Sequence, residues 1–171
     1  ADLQGQAQNA RIASAAAIPA EALRAALADR ITRRVEAAYD PERRTVRVRE
    51  TERLGAIPLS ERALPAPAGA DADRAVVEAV RDHGLAILPW EKSASVLRAR
   101  LRWLHAGLGT PWPDMSDQAL LGRLDDWLLP FLSGSAALDR IDPGAIRNGL
   151  MSLVPHDLQR RLDELAPTHF A

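Results

Sequence analysis

The odd-numbered positions of residues 45–53 read Thr45, Arg47, Arg49, Thr51 and Arg53. In extended backbone they project from one face at intervals of about 6.5–7 Å, close to the phosphate spacing of an extended single strand. The planar guanidinium can donate two hydrogen bonds at once to a phosphate, which suits arginine to this task. Arg30 and Arg34 in the preceding alternating run would share the face, and Arg43 and Arg44 stand at the intervening turn. The acids Glu36, Glu50 and Glu52 lie close by and offer the competing reading: cross-strand ion pairs on a plain solvated face.

Other groups carry less chemistry. Asp125-Asp126 beside Trp127, and Asp163-Glu164, are carboxylate pairs, but adjacent helical residues do not face each other. They read as solvated helix faces or helix-to-helix salt bridges, with Asp163 and Glu164 fastening the last helix near Trp112. His83, His105, His156 and His169 show no metal-ligand spacing, and cysteine is absent. A base-stacking platform would need exposed aromatics interleaved with arginine. Trp103 has Arg100 and Arg102 beside it, yet also Leu104, so Trp90, Trp103, Trp112 and Trp127 all read as core.

The elements that must carry these residues follow from periodicity. Residues 30–39 alternate, with Ile31, Val35, Ala37 and Tyr39 on one side; residues 44–53 alternate again, and Asp40-Pro41-Glu42-Arg43 has the composition of a turn. A hairpin is expected, followed by a strand over 56–63 that Pro58 confines to an edge. Residues 11–18 can extend as far as Pro19, and residues 20–28 have helical composition with Leu23 and Leu27 four apart.

The stretch Pro65 to Asp71, with two prolines, a glycine and small residues, separates this region from a helical one. Helices are expected over 71–82, before Gly84, and over 93–106, with Val96, Leu97, Leu101 and Leu104 inward and Arg98, Arg102 and His105 outward. A third should run from a Ser116 cap to Leu129, before Pro130. Asp142-Pro143 should open a fourth, and Pro155 separates it from a last helix striped by Leu158, Leu162 and Leu165. The expected architecture is α+β: an antiparallel β region with one short helix over 1–66, then a helical domain over 67–171.

Composition sets few limits. The 171 residues suffice for one domain or two small ones, and 47% hydrophobic against 4% aromatic predicts an aliphatic core. The net charge of −1 decides nothing about nucleic acid, but eleven arginines face nine acids in residues 1–66, whereas eleven bases face fourteen acids afterwards. The first region is therefore the better place for a polyanion. No apolar run approaches the ~20 residues of a membrane span and no secretory signal opens the chain, so a soluble cytoplasmic protein without membrane contact is expected.

Several segments resemble the C-terminal region of bacterial HrpB-type ATP-dependent helicases, relatives of the DEAH-box RNA helicases. They are Trp112-Pro113, Ser116, Leu120-Leu121, Leu124 to Leu128, Pro130, and Leu162-Asp163-Glu164-Leu165-Ala166-Pro167 with His169. Arg53-Leu54-Gly55-Ala56, Leu59 to Arg62 with Leu64-Pro65, Leu88-Pro89-Trp90 and Leu97 to Arg100 fit as well. The resemblance implies a parent that uses ATP and Mg to remodel or unwind RNA or DNA. It further implies that Ala1 to Gly5 with Ala10-Arg11-Ile12 form the last strands of an OB-like barrel. The chain has no P-loop Gly-Lys-Ser/Thr, no Asp-Glu-x-His box and no arginine-finger motif, so no catalysis and no cofactor are expected in it. It would be an accessory region whose partners are single-stranded RNA or DNA and the motor domains of the same parent. The rival reading is a protein-interaction module that docks the motor or another protein without touching nucleic acid.

Overall fold

The computed structural model describes residues 20–167. The strand expected over 11–18, the barrel segments before it and His169 lie outside the described residues. The first element is a short helix, α1 (Ala20–Ala26), followed by a single 3-10 turn, Ala28–Arg30. Strands β1 (Ile31–Asp40), β2 (Thr45–Leu54) and β3 (Ile57–Ala63) form an antiparallel sheet in the order β1-β2-β3. Pro58 thus sits on an outer strand of the described sheet, as its missing N–H requires. Thr32 Oγ1 donates to the Arg53 carbonyl and Thr51 Oγ1 to the Arg34 carbonyl. Both contacts belong to one register, in which Asp40 stands opposite Thr45.

Among the described residues, six further α-helices and three 3-10 turns supply the helical part. They include α2 (Ala70–His83), α3 (Lys92–Leu108), α4 (Asp117–Leu121), α5 (Leu124–Trp127), α6 (Ala145–Ser152) and α7 (His156–Leu165). The 3-10 turn Leu129–Phe131 follows α5 directly. Gly84 ends α2 at φ 92°, a conformation open to glycine at little cost. Ser116 caps α4 by accepting from the Ala119 N–H at 3.2 Å.

The single helix expected from Ser116 to Leu129 is instead broken at Gly122–Arg123. In a continuous helix the Leu120 carbonyl would accept from Leu124. Here it accepts from the Arg123 N–H at 3.2 Å and from the Trp127 indole Nε1–H at 2.9 Å. The indole satisfies the carbonyl from seven residues away, and the chain folds back to let it. The fourth helix likewise starts later than expected, at Ala145, because Asp142 uses its carboxylate to accept from the Gly144 N–H at 2.8 Å.

The core is aliphatic with two buried indoles, and Ala72, Val76, Val80, Leu97, Leu101, Leu104, Leu120, Trp127, Leu138, Ile146 and Leu150 are closed to solvent. Gly149 of α6 lies so near α5 that a Cβ there would stand 1.9 Å from the Trp127 carbonyl oxygen.

Contacts group the described residues into two units. One holds the residues up to Glu36 together with Glu50–Arg62; the other holds Ala37–Arg49 and the residues from Ala63 onward. The boundary runs through the long strands, so the turn end of the hairpin belongs with the helices. Val46, 1% exposed, joins that core, and Tyr39 packs its ring on His83 with centroids 5.3 Å apart. Among the described residues no helix is long and apolar enough to cross a membrane.

Candidate nucleic-acid interface

The hairpin tip is built locally and anchored at long range. Asp40 Oδ1 accepts from the N–H groups of Glu42 and Arg43, at 3.1 and 3.2 Å, which closes the turn around Pro41. Arg44 has φ 48°, in the left-handed region that costs a side-chain-bearing residue roughly 1–2 kcal/mol. Surrounding bonds hold it there. Its carbonyl accepts from the Leu138 N–H at 2.8 Å, Val46 N–H donates to the Ala136 carbonyl at 2.9 Å, and Thr45 Oγ1 donates to that same carbonyl at 3.2 Å.

On this support Arg43, Arg44 and Arg47 are exposed. Arg47 Nε lies 3.3 Å from Asp40 and its side chain is 52% exposed, whereas Arg43 and Arg44 form no ion pair among the described residues. A pair this exposed contributes at most about 1 kcal/mol and can be exchanged for a phosphate.

In the other unit, Arg30 and Arg34 are exposed and form no ion pair among the described residues. Arg53 is half-buried and its guanidinium lies 4.0 Å from Glu36. Arg49, in the tip's unit, is half-buried too; its Nε, like that of Arg53, is closed to solvent. Thr51, which separates them on the same face, is 5% exposed. The row of odd-numbered residues is thus open at its tip end, at Arg47, and partly covered from Arg49 to Arg53. On the opposite face Glu52 pairs with Arg33 at 2.9 Å and Glu50 with Arg62 at 2.9 Å. The acids noted in the sequence do form cross-strand pairs, while Val35, on the side expected to carry Ile31, Ala37 and Tyr39, is 65% exposed.

Three of the four carboxylates in the Asp125-Asp126 and Asp163-Glu164 pairs form ion pairs at the surface. Asp125 meets Arg74 of α2 at 3.0 Å and Asp126 meets Arg123 at 3.2 Å. Asp163 fastens α7 to Arg100 of α3, at 2.6 Å, rather than to the neighbourhood of Trp112. Arg100 was available because it points to the α7 end, where its Nε also donates to the Ala166 carbonyl at 2.5 Å. No group of three or more His, Asp or Glu able to hold a metal occurs among the described residues. The single lysine, Lys92, opens α3.

The tryptophans divide. Trp127 and Trp112 are buried, and half-buried Trp90 donates its Nε1–H to the Leu85 carbonyl at 2.8 Å. Arg98, expected to point outward, lies over the Trp90 ring at 5.4 Å and donates to the Met115 carbonyl at 3.0 Å. Trp103, expected in the core, is 63% exposed. The signal that could have placed it was the period. Two residues beyond Leu101, it falls about 200° around α3, opposite the stripe of Ala94, Leu97, Leu101 and Leu104.

No family model matches the chain. Over 136 residues, 77% of its length, it is 29% identical to the ATP-dependent RNA helicase HrpB of Escherichia coli strain K12, of which this covers 16%. Its structure resembles the crystal structure of the E. coli DExH-box NTPase HrpB, with a TM-score of 0.62 and 26% identity over 89% of this chain and 19% of that one. A second crystal structure, of the E. coli DEAH/RHA helicase HrpB, gives a TM-score of 0.62 and 27% identity over 82% of this chain and 18% of that one. The chain therefore spans about a sixth of the length of the curated relative it matches. Its sequence and its fold both match HrpB over most of this chain and a fraction of that protein, as a C-terminal region of such a helicase would.

Proposed function

We propose that the chain is an accessory region of an ATP-dependent helicase that supports the motor and touches a single strand of RNA or DNA through its arginine-bearing hairpin. The observation that carries this reading is the tip. Arg43 and Arg44 are exposed without ion pairs among the described residues, beside Arg47, on a turn held by bonds to Ala136 and Leu138. Cations on a fixed support bind a phosphate without first being ordered. In the other unit, Arg30 in the 3-10 turn before β1 and Arg34 on β1 are exposed cations of their own, while Arg49 and Arg53 are half-buried. In this reading ATP and Mg belong to the motor of the parent, and this region guides the strand that leaves it.

The test is a titration of labelled single-stranded RNA against the chain and its Arg43→Gln/Arg44→Gln/Arg47→Gln variant, at two salt concentrations. The variant should bind about tenfold or more weakly at low salt, and its slope of log affinity against log salt should be shallower by roughly 0.7 per lost contact. Equal affinity and equal slope would show that the tip is only solvated. The exposed apolar side chains Val35, at 65%, and Ile57, at 60%, favour the second reading, a docking module for the motor domains of the same parent. Tight binding to a motor-only protein with no affinity for RNA would select it.

A further inference from the structure

Away from the hairpin, the helical unit presents a groove of 590 Å³ bounded by Lys92, Ser93, Val96, Arg100, Arg147 and Asp163. Three cations face one carboxylate there. Asp163 is committed to Arg100, at 2.6 Å, and Arg100 is further tied to the Ala166 carbonyl. Lys92 and Arg147 are exposed and form no ion pair among the described residues, which leaves the groove with an unmatched positive charge. Arg100 also borders a second, apolar cavity of 230 Å³, lined by Ala99, Trp103, Ala166 and Pro167. The two cavities therefore adjoin along α3. From Lys92 to Trp103 the helix rises about 16 Å, room for a short run of nucleotides.

We propose that this stripe of α3, with Arg147 from α6, is a second site for single-stranded nucleic acid, with phosphates on Lys92 and Arg147 and a base stacked on Trp103. Charge selects an anion. The exposed indole beside an apolar recess selects one that carries flat rings, because every base has a π-face to stack and an acidic peptide does not. Arg100, fixed by Asp163 and Ala166, lies between the two parts and holds α7 against α3 there.

The experiment follows tryptophan fluorescence of the 171-residue chain during titration with oligo(A), since Trp103 is the most exposed of the four indoles. Trp103→Ala should fold normally and bind about tenfold more weakly, and Trp103→Phe should recover most of that loss. Lys92→Gln/Arg147→Gln should lower the salt slope by about 1.4, two contacts at roughly 0.7 each. The chain with the three tip arginines replaced should still show quenching on oligo(A), which separates this site from the hairpin whether or not the hairpin binds. Wild-type affinity in both the Trp103→Ala and the Lys92→Gln/Arg147→Gln variants would overturn the proposal. So would an oligoglutamate peptide that displaces oligo(A) with equal affinity, which would mark the groove as a protein-docking surface.

Discussion

Gly149→Ala sets two well-defined effects against each other. Gly149 lies inside α6, and in an open helix replacing glycine by alanine would stabilise by about 0.8–1 kcal/mol. Here the new Cβ would stand 1.9 Å from the Trp127 carbonyl oxygen, about 1 Å closer than side-chain carbons approach any atom. Neither partner is a flexible tip: one is the backbone of α5, the other the backbone of α6. The two helices must separate by about 1 Å, and a gap of 0.5–1 Å forfeits a quarter to a half of each contact's attraction. Leu150, Ile146 and Trp127, all buried, lie along that seam. Overpacking of this kind costs about 1–3 kcal/mol or more and outweighs the helical gain, so a net loss of about 1–2 kcal/mol is expected. In a chain of this size that lowers Tm by roughly 2–8 °C. Urea unfolding should show a lower midpoint at unchanged slope. A variant as stable as wild type, or more so, would mean that α5 and α6 do not pack this closely.

Three further outcomes follow from the same geometry. Trp127→Ala should cost about 3–5 kcal/mol, a large share of a domain's total stability, measured by urea unfolding; a Tm within a few degrees of wild type would refute its burial. Val46→Asp places an unpaired charge among the helices and should detach the hairpin tip, seen as fast hydrogen exchange at the Val46 and Leu138 amides, which now donate to the partner segment. Asp114 accepts from the Ser116 N–H at 2.9 Å, and this bond, with a further one from the Ser116 hydroxyl, holds its carboxyl below the ordinary value of 3.8. Its contribution to stability is therefore complete above pH 3.8 and is lost as pH falls through the lower folded value. NMR titration should show the low midpoint, and Asp114→Asn should remove that part of the acid sensitivity.

What could be read from the sequence was local. The period-2 runs on either side of Asp40-Pro41 gave the hairpin, and the Val and Leu stripes gave α2, α3 and α7 within a residue or two. What could not be read depended on partners distant in sequence. Alternation set Val35 and Tyr39 on one face of β1, yet Tyr39 packs on His83 whereas Val35 is 65% exposed. The break at Gly122–Arg123 required knowing that the Trp127 indole would reach back to Leu120. At the candidate site the arginines themselves were legible. Their division into exposed ones at Arg43, Arg44 and Arg47 and half-buried ones at Arg49 and Arg53 was not, since alternation assigns a face without saying what covers it. Trp103 was misplaced beside Leu104, although its angle around α3 pointed outward.

The central claim, that this chain grips a single strand by its phosphates, is tested most directly by the salt dependence of RNA binding to the unaltered 171-residue chain. Three arginines at the hairpin tip predict measurable binding at low salt and a plot of log affinity against log salt with a slope of about −2 or steeper. A chain that binds no single-stranded RNA at low salt, or binds it with a slope near zero, would contradict the account.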